Sequence, residues 1–380
     1  MFVCFVTGKN YKPFSVSAIL WALIIAYGIM AFLWQPAWNE DLVRYFQQAN
    51  EIRSSGLSLF DFVTQSIRGI KDPIGGYGTL YTFNFIRYII HYIFENNHWL
   101  PCIFTMIHYA IWHYITLDWF KRHNFDHKWL MLVMITASPM APLFFVASGV
   151  RNGLAAAVTA LAIYLRIYRR KSLTLYLVIS FFAATIHPGV LSSIGLGLVY
   201  PYLRGSFSMI AALSASFMAS RILKALSGSS IAYISFISDH FSNYYVNAYY
   251  DFLVPYYSDI ALVILMLCLF LIREVSLSES SSYDKPEKDM NHFIIVYLVV
   301  SLCACFIGIG DVLFRRMLYV LSPLSGILVS FLAENKHKQR LSLGIMIILT
   351  TMFAVFCLSS IAYDDGMRFF KRVLYLFLKV

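Results

Sequence analysis

The sequence predicts an all-α fold, a polytopic transmembrane helix bundle of about eleven spans with further helices lying at one membrane interface. Three observations carry this. Of 380 residues, 59% are hydrophobic and only 13% are charged, which is more apolar surface than a soluble core can hide. Apolar blocks of about twenty residues recur along the chain, each long enough to cross roughly 30 Å of hydrocarbon. The basic residues fall in short loops between these blocks, as membrane topology requires.

The first span is expected at 14–34, between Lys9 and Lys12 on one side and Trp34 and Trp38 on the other. Later spans are expected near 99–117, 129–147, 150–168, 173–187, 188–203, 206–222, 258–273, 292–310, 312–333 and 341–361. The chain is read as one transmembrane domain over 1–380, and the 26 tyrosines and 32 phenylalanines suit its many interfacial helix ends. No internal repeat is evident. The first apolar stretch is long, has no small-residue cleavage site and is followed by further spans, so it reads as an anchor and not as a signal peptide.

Residues 79–94 are apolar enough to span, yet Asn84, Arg87 and His91 form a stripe along one helical face. Charge parity decides between the readings. The loops holding Lys121, Arg122 and Lys128, then Arg169, Arg170 and Lys171, then Arg273 to Lys288, then Lys336, Lys338 and Arg340 all read as cytoplasmic, and they agree with a cytoplasmic Lys9 and Lys12 only if 79–94 does not cross. This segment is therefore expected as an interfacial amphipathic helix, and Phe369 to Val380 as another short one. The outer face then receives a loop at 35–98 with interfacial helices and a tyrosine-rich loop at 223–257, while 274–291 is a Ser/Glu/Lys-rich flexible cytoplasmic linker.

The net charge of +10 does not indicate nucleic acid, because the basic residues form no groove and belong to no recognisable binding module. The six cysteines, Cys4, Cys102, Cys268, Cys303, Cys305 and Cys357, lie almost entirely in apolar blocks and read as small packing residues. Asp72-Pro73-Ile74-Gly75-Gly76-Tyr77-Gly78 has no strand before it, so it is a turn and not a phosphate-binding loop.

Several polar residues do not suit a passive bundle. Arg44, Arg68, Lys71, Arg87, Arg151, Arg315 and Arg316 fall on the outer side, against the positive-inside bias. Arg151 stands in the apolar run Phe144 to Gly153, where an arginine is costly. It either snorkels to the interface or pairs with a local acid, or its outward guanidinium holds a phosphate or carboxylate. His187 occupies a Pro-Gly break on the same face, as a structural residue or as a hydrogen-bond donor and proton carrier. Asp311 and Arg315 are four apart and suited to pairing, which turns Arg316 elsewhere. Glu40 and Asp41 form either a solvated acidic loop or a carboxylate pair available to take a proton.

These segments, in this order, resemble the EpsG family, which includes many Wzy-type polymerases of bacterial O-antigen and capsular polysaccharide. The resemblance lies in Asp41-Leu42-Val43-Arg44-Tyr45, in Arg151-Asn152-Gly153-Leu154-Ala155, in the basic turn Arg169-Arg170-Lys171 followed by Ile186-His187, and in Arg315, Arg316 and Tyr319. It implies a GT-C-like bundle in the bacterial inner membrane. Its active site would face the periplasm and transfer a glycan from undecaprenyl pyrophosphate to the non-reducing end of another lipid-linked repeat unit, beside a chain-length regulator and a flippase.

The residues suit that chemistry. Arg151, Arg315, Arg316, Arg44 and Arg87 are candidates for holding the pyrophosphate, whose charge grows as the sugar departs. Asp41, Glu40 and His187 are candidates for the base that takes the acceptor proton. Tyr244, Tyr245, Tyr249, Tyr250, Tyr256 and Tyr257 suit sugar stacking and interface anchoring equally. No cofactor and no metal are expected. The alternatives are a membrane O-acyltransferase using His187, which leaves the outer arginines without a task, and a flippase or other transporter, which predicts polar residues at mid-depth.

Overall fold

The computed structural model describes residues 13–36, 41–68, 80–125, 127–137, 143–202, 285–306, 317 and 319–330, and among these every regular element is a helix. The α-helices are α1 (Pro13–Phe32), α2 (Asp41–Ser55), α3 (Leu59–Arg68), α4 (Tyr81–Ile93), α5 (Trp99–Arg122), α6 (His127–Ala137), α7 (Leu143–Ser148), α8 (Val150–Ile167), α9 (Leu173–Ile186), α10 (Leu191–Val199), α11 (Lys285–Phe306) and α12 (Ser325–Ser330). Two of them, α5 and α8, are long and apolar enough to cross a membrane, and Ser17–Phe32, Leu173–Ile186 and Tyr319–Ser330 are shorter apolar helices.

Local chemistry sets several helix ends. Ser58 caps α3, accepting from the Asp61 backbone N–H at 3.1 Å while its hydroxyl donates to Asp61 Oδ2 at 2.6 Å. Ser172 caps α9 in the same way through the Leu175 N–H. Gly56, at φ +63°, follows the last residue of α2 in the left-handed conformation that ends many helices.

The chain divides into two compact units, and the division falls inside α2 and α8. The first comprises Met1–Gln47, Phe94–Leu154 and Ser322–Val380. Here α5 is the central helix, packed by α1, α7, the turn Ser322–Leu324 and α12. Its buried side carries Phe104, Tyr109, Trp112, Trp119 and Phe120, and Tyr27 of α1 stacks on Tyr109 with centroids 3.9 Å apart.

The second unit comprises Gln48–Ile93 and Ala155–Leu321. In it α4 packs on α3 and α9, and Ile52, Phe62 and Tyr88 form a small apolar core. Tyr176 of α9 donates to the Ile194 carbonyl of α10 at 2.6 Å. Tyr297 of α11 is fully buried, meets Ser193 Oγ and donates to the Met317 carbonyl at 3.0 Å.

Two expected segments differ in detail. The stretch 188–203 is not one helix but a 3-10 turn at Pro188–Val190, the nine residues of α10 and a second turn at Tyr200–Tyr202. Pro188 and Pro201 explain this, since proline lacks the N–H that a continuous helix needs. Helix α11 begins at Lys285, inside the stretch read as a linker. Pro286 and Glu287 in its first turn suit a helix start, and Glu287 and Met290 are buried. Outside the described residues lie the expected spans at 206–222, 258–273 and 341–361, the tyrosine-rich loop at 223–257, the rest of the linker, and Phe369 to Val380.

Candidate functional site

In the first unit the helix starts of α2 and α8 bring together Asp41, Arg44, Tyr45 and Arg151. Helix α8 begins at Val150, directly after Gly149, so Arg151 stands in its first turn. That position carries the positive end of the helix dipole, where an anion is favoured and a second positive charge is not. Arg151 is nonetheless 7% exposed. Its Nε donates to the Tyr45 hydroxyl at 2.5 Å, its Cζ lies 5.3 Å from the Tyr45 ring centroid, and its Nη2 is 4.0 Å from Asp41 Oδ2. The other carboxylate oxygen of Asp41 pairs with Arg44, three residues on along α2.

Asp41 thus faces two guanidiniums, one buried and one exposed, and Tyr45, one helical turn further, orients the buried one. A buried guanidinium at a helix start can hold negative charge, and here the Asp41 carboxylate lies beside it. Behind it, Gly153 makes room for close packing of α7 on α8, since a Cβ there would stand 3.3 Å from the Val146 Cα. The Gly153 carbonyl accepts from the Nδ1 of His108 on α5 at 2.8 Å, which sets the tautomer of that buried histidine.

In the second unit a separate polar cluster lies between α2 and α4. Arg87 is fully buried and donates to Gln48 Oε1 and, at 3.2 Å, to Asn84 Oδ1, with its Cζ 5.3 Å from the Phe83 ring centroid. Arg53 Nε donates to the His91 carbonyl at 3.5 Å. Burial, with the Arg87 and Arg53 guanidiniums adding to it, holds the His91 imidazole down to about 3, so its neutral form persists through ordinary pH.

His187 belongs to the second unit as well. It ends α9 in extended conformation, is buried, and its Nδ1 accepts from the Gly189 backbone N–H at 2.9 Å. An accepting Nδ1 places the proton of the neutral ring on Nε2, which makes that atom a donor and not a base. Two residues earlier Thr185 Oγ1 meets Thr82 Oγ1 of α4 at 2.6 Å, so the end of α9 is tied to the start of α4.

Of the residues singled out by sequence, the first unit joins Asp41, Arg44 and Arg151 in one cluster. Arg87 and His187 lie in the second, on packed helices. Glu40, Arg315, Arg316 and Asp311 lie outside the described residues.

Two residues that sequence reasoning missed join these clusters. Gln48 stands seven residues after Asp41 and so on the same face of α2, and His108 is an ionisable residue inside an apolar helix. Each of those facts was a usable signal. Among the described residues no group of three or more His, Cys, Asp and Glu side chains stands ready for a metal.

The family model described as the EpsG family matches residues 19–371. No curated protein and no solved structure matches the chain.

Proposed function

Because the chain belongs to the EpsG family, a family of Wzy-like polysaccharide polymerases and glycosyltransferase-like membrane proteins, we propose that it lengthens a polysaccharide on a lipid carrier. The donor is a glycan on undecaprenyl pyrophosphate, the acceptor is the non-reducing end of another lipid-linked repeat unit, and the product is O-antigen or capsule. The reaction takes place at the periplasmic side of the bacterial inner membrane, in a GT-C-like bundle of about eleven spans, with a chain-length regulator and a flippase as partners.

The observation that carries this reading is Arg151, a buried guanidinium in the first turn of α8, oriented by the hydroxyl and ring of Tyr45 and accompanied by Asp41. In the proposed step the acceptor hydroxyl oxygen bonds to the donor's anomeric carbon, and the bond from that carbon to the pyrophosphate oxygen breaks. The hydroxyl proton goes to a base, and undecaprenyl pyrophosphate leaves with the electron pair. Negative charge grows on the leaving oxygen, and a donor fixed beforehand near that oxygen lowers the barrier without reorganising. Arg151 takes this role, with Arg315 and Arg316 as further pyrophosphate holders.

The base is a carboxylate in this reading, Asp41 or its neighbour Glu40. His187, with Nδ1 already accepting from Gly189, serves as an Nε2–H donor. The acyltransferase alternative, which uses His187, leaves Arg151 without a task.

The test supplies membranes holding the protein with one purified lipid-linked repeat unit. Polymer ladders are expected. Translocation of the repeat unit without lengthening would overturn the proposal in favour of a flippase, and acylation without lengthening in favour of an acyltransferase.

A further inference from the structure

Helix α4 exposes large apolar side chains and buries polar ones beside Phe83, Tyr88 and Ile90. Its buried positions include Asn84, Arg87 and His91, whereas its exposed ones are Phe85 at 44%, Tyr92 at 79% and Ile93 at 62%. At 100° per residue Phe85, Ile89, Tyr92 and Ile93 share one face, and Asn84, Arg87 and His91 share the opposite one. An amphipathic helix lying on a membrane would do the reverse, turning its polar face to water.

The neighbouring helix shows the same pattern. Helix α9 packs on α4, buries Tyr176, Ser180 and Thr185, and exposes Leu175, Leu177, Val178, Phe181 and Phe182. The two helices meet through small polar groups, Thr82 and Thr185. Polar contacts turned inward and large apolar side chains turned outward are the pattern of helices in hydrocarbon, where polar groups must be satisfied within the protein and no water rewards hiding a phenylalanine.

We propose that the face of α4 formed by Phe85, Ile89, Tyr92 and Ile93 is seated in the hydrocarbon of the bilayer, against lipid acyl chains. It continues the lipid-facing surface of α9. With thirteen residues α4 is about 20 Å long, and as a helix that enters the bilayer without spanning it, as charge parity asks, it leaves the topology of the loops unchanged. In this proposal α4 does not lie flat at the interface with its polar face to water; it immerses its apolar face and keeps Arg87 on the buried side. None of this depends on the proposed activity.

The experiment uses the full chain, in a variant whose native cysteines are replaced, with nitroxide labels at Phe85→Cys, Ile89→Cys, Tyr92→Cys and Ile93→Cys in liposomes. Labels at Glu51 and Ser54, exposed polar positions of α2, serve as comparison. Collisions with oxygen are expected to exceed those with a water-soluble nickel chelate at all four α4 positions. The opposite order would overturn the proposal, and low collision rates with both would too, because they would place another protein surface, such as a second copy, over the face.

A second measurement leaves the native cysteines in place and puts a benzophenone amino acid at position 85 or 92. Lipid adducts on the single chain are expected. Cross-linked dimers without lipid adducts, or no adduct at all, would overturn the assignment.

Discussion

The Nε of Arg151 donates to the Tyr45 hydroxyl at 2.5 Å, and the same guanidinium lies over the Tyr45 ring, its Cζ 5.3 Å from the centroid. One side chain of α2 thus fixes both the direction and the plane of the fork on α8. Arg151→Lys keeps the charge and loses the fork, so polymer formation should fall on the order of 10²-fold, as when a fixed transition-state donor is removed. Tyr45→Phe keeps the ring and removes a hydrogen bond of about 1 kcal/mol, which predicts a loss of about fivefold. Ladder length on gels reports both, alongside protein level in the membrane. Wild-type ladders from Arg151→Lys would remove Arg151 from the site.

Asp41 lies between two arginines of unequal weight. The Arg44 side chain is 61% exposed, against 8% for Arg151 and 37% for Asp41. Exposed pairs contribute little, so Arg44→Ala should change stability by less than about 0.5 kcal/mol. Asp41→Ala withdraws a carboxylate from a buried guanidinium as well and should cost about 1 kcal/mol. Thermal midpoints in detergent measure the order. Equal shifts for the two variants would show that the contact with Arg151 contributes nothing.

Apolar run length made the long helices legible. The segments expected at 14–34, 150–168 and 173–187 are α1, α8 and α9 to within a few residues. Helix α5 continues past its apolar run through Asp118, Lys121 and Arg122, because backbone hydrogen bonding does not stop where hydropathy does.

Arg151 was legible because a guanidinium in an apolar run is costly wherever it goes. Its partner Tyr45 is 106 residues away, and Gln48 reaches Arg87 across 39. The seven-residue spacing puts Gln48 on the face of Asp41, but nothing in hydropathy or spacing says that its amide accepts from an arginine 39 residues away. The exposure pattern of α4 was hidden for a related reason: the stripe of Asn84, Arg87 and His91 shows that the helix has two faces and does not say which of them is buried.

His91 offers a prediction with a definite sign. Its folded imidazole titrates near 3, while an unfolded histidine titrates near 6.5. Between those values the unfolded chain binds more protons than the native one, so stability is full above about 6.5 and is lost as the pH falls toward 3. His91→Gln removes the titrating group and should flatten that part of the dependence. Thermal inactivation in detergent between pH 4 and 7 compares the two proteins. An acid slope that survives unchanged in His91→Gln would mean that other groups carry it.

Gly326 gives the sharpest packing test. A Cβ at this position would lie 2.0 Å from Thr116 Oγ1, 2.6 Å from its Cγ2 and 2.8 Å from its Cβ, so α12 rests on α5 without room for a methyl group. Every residue of α12 is buried, so the helix has no open side toward which to retreat. Thr116 is held too, its hydroxyl donating to the Trp112 carbonyl at 3.0 Å. Gly326→Ala should therefore destabilise by about 1–3 kcal/mol. Thr116→Ala in the same chain deletes the two nearer contacts and leaves only the one at 2.8 Å, so the double variant should recover part of the loss. Thermal midpoints of the two single variants and the double variant complete a cycle whose coupling term isolates this contact. Strict additivity would show that α12 does not approach Thr116 this closely.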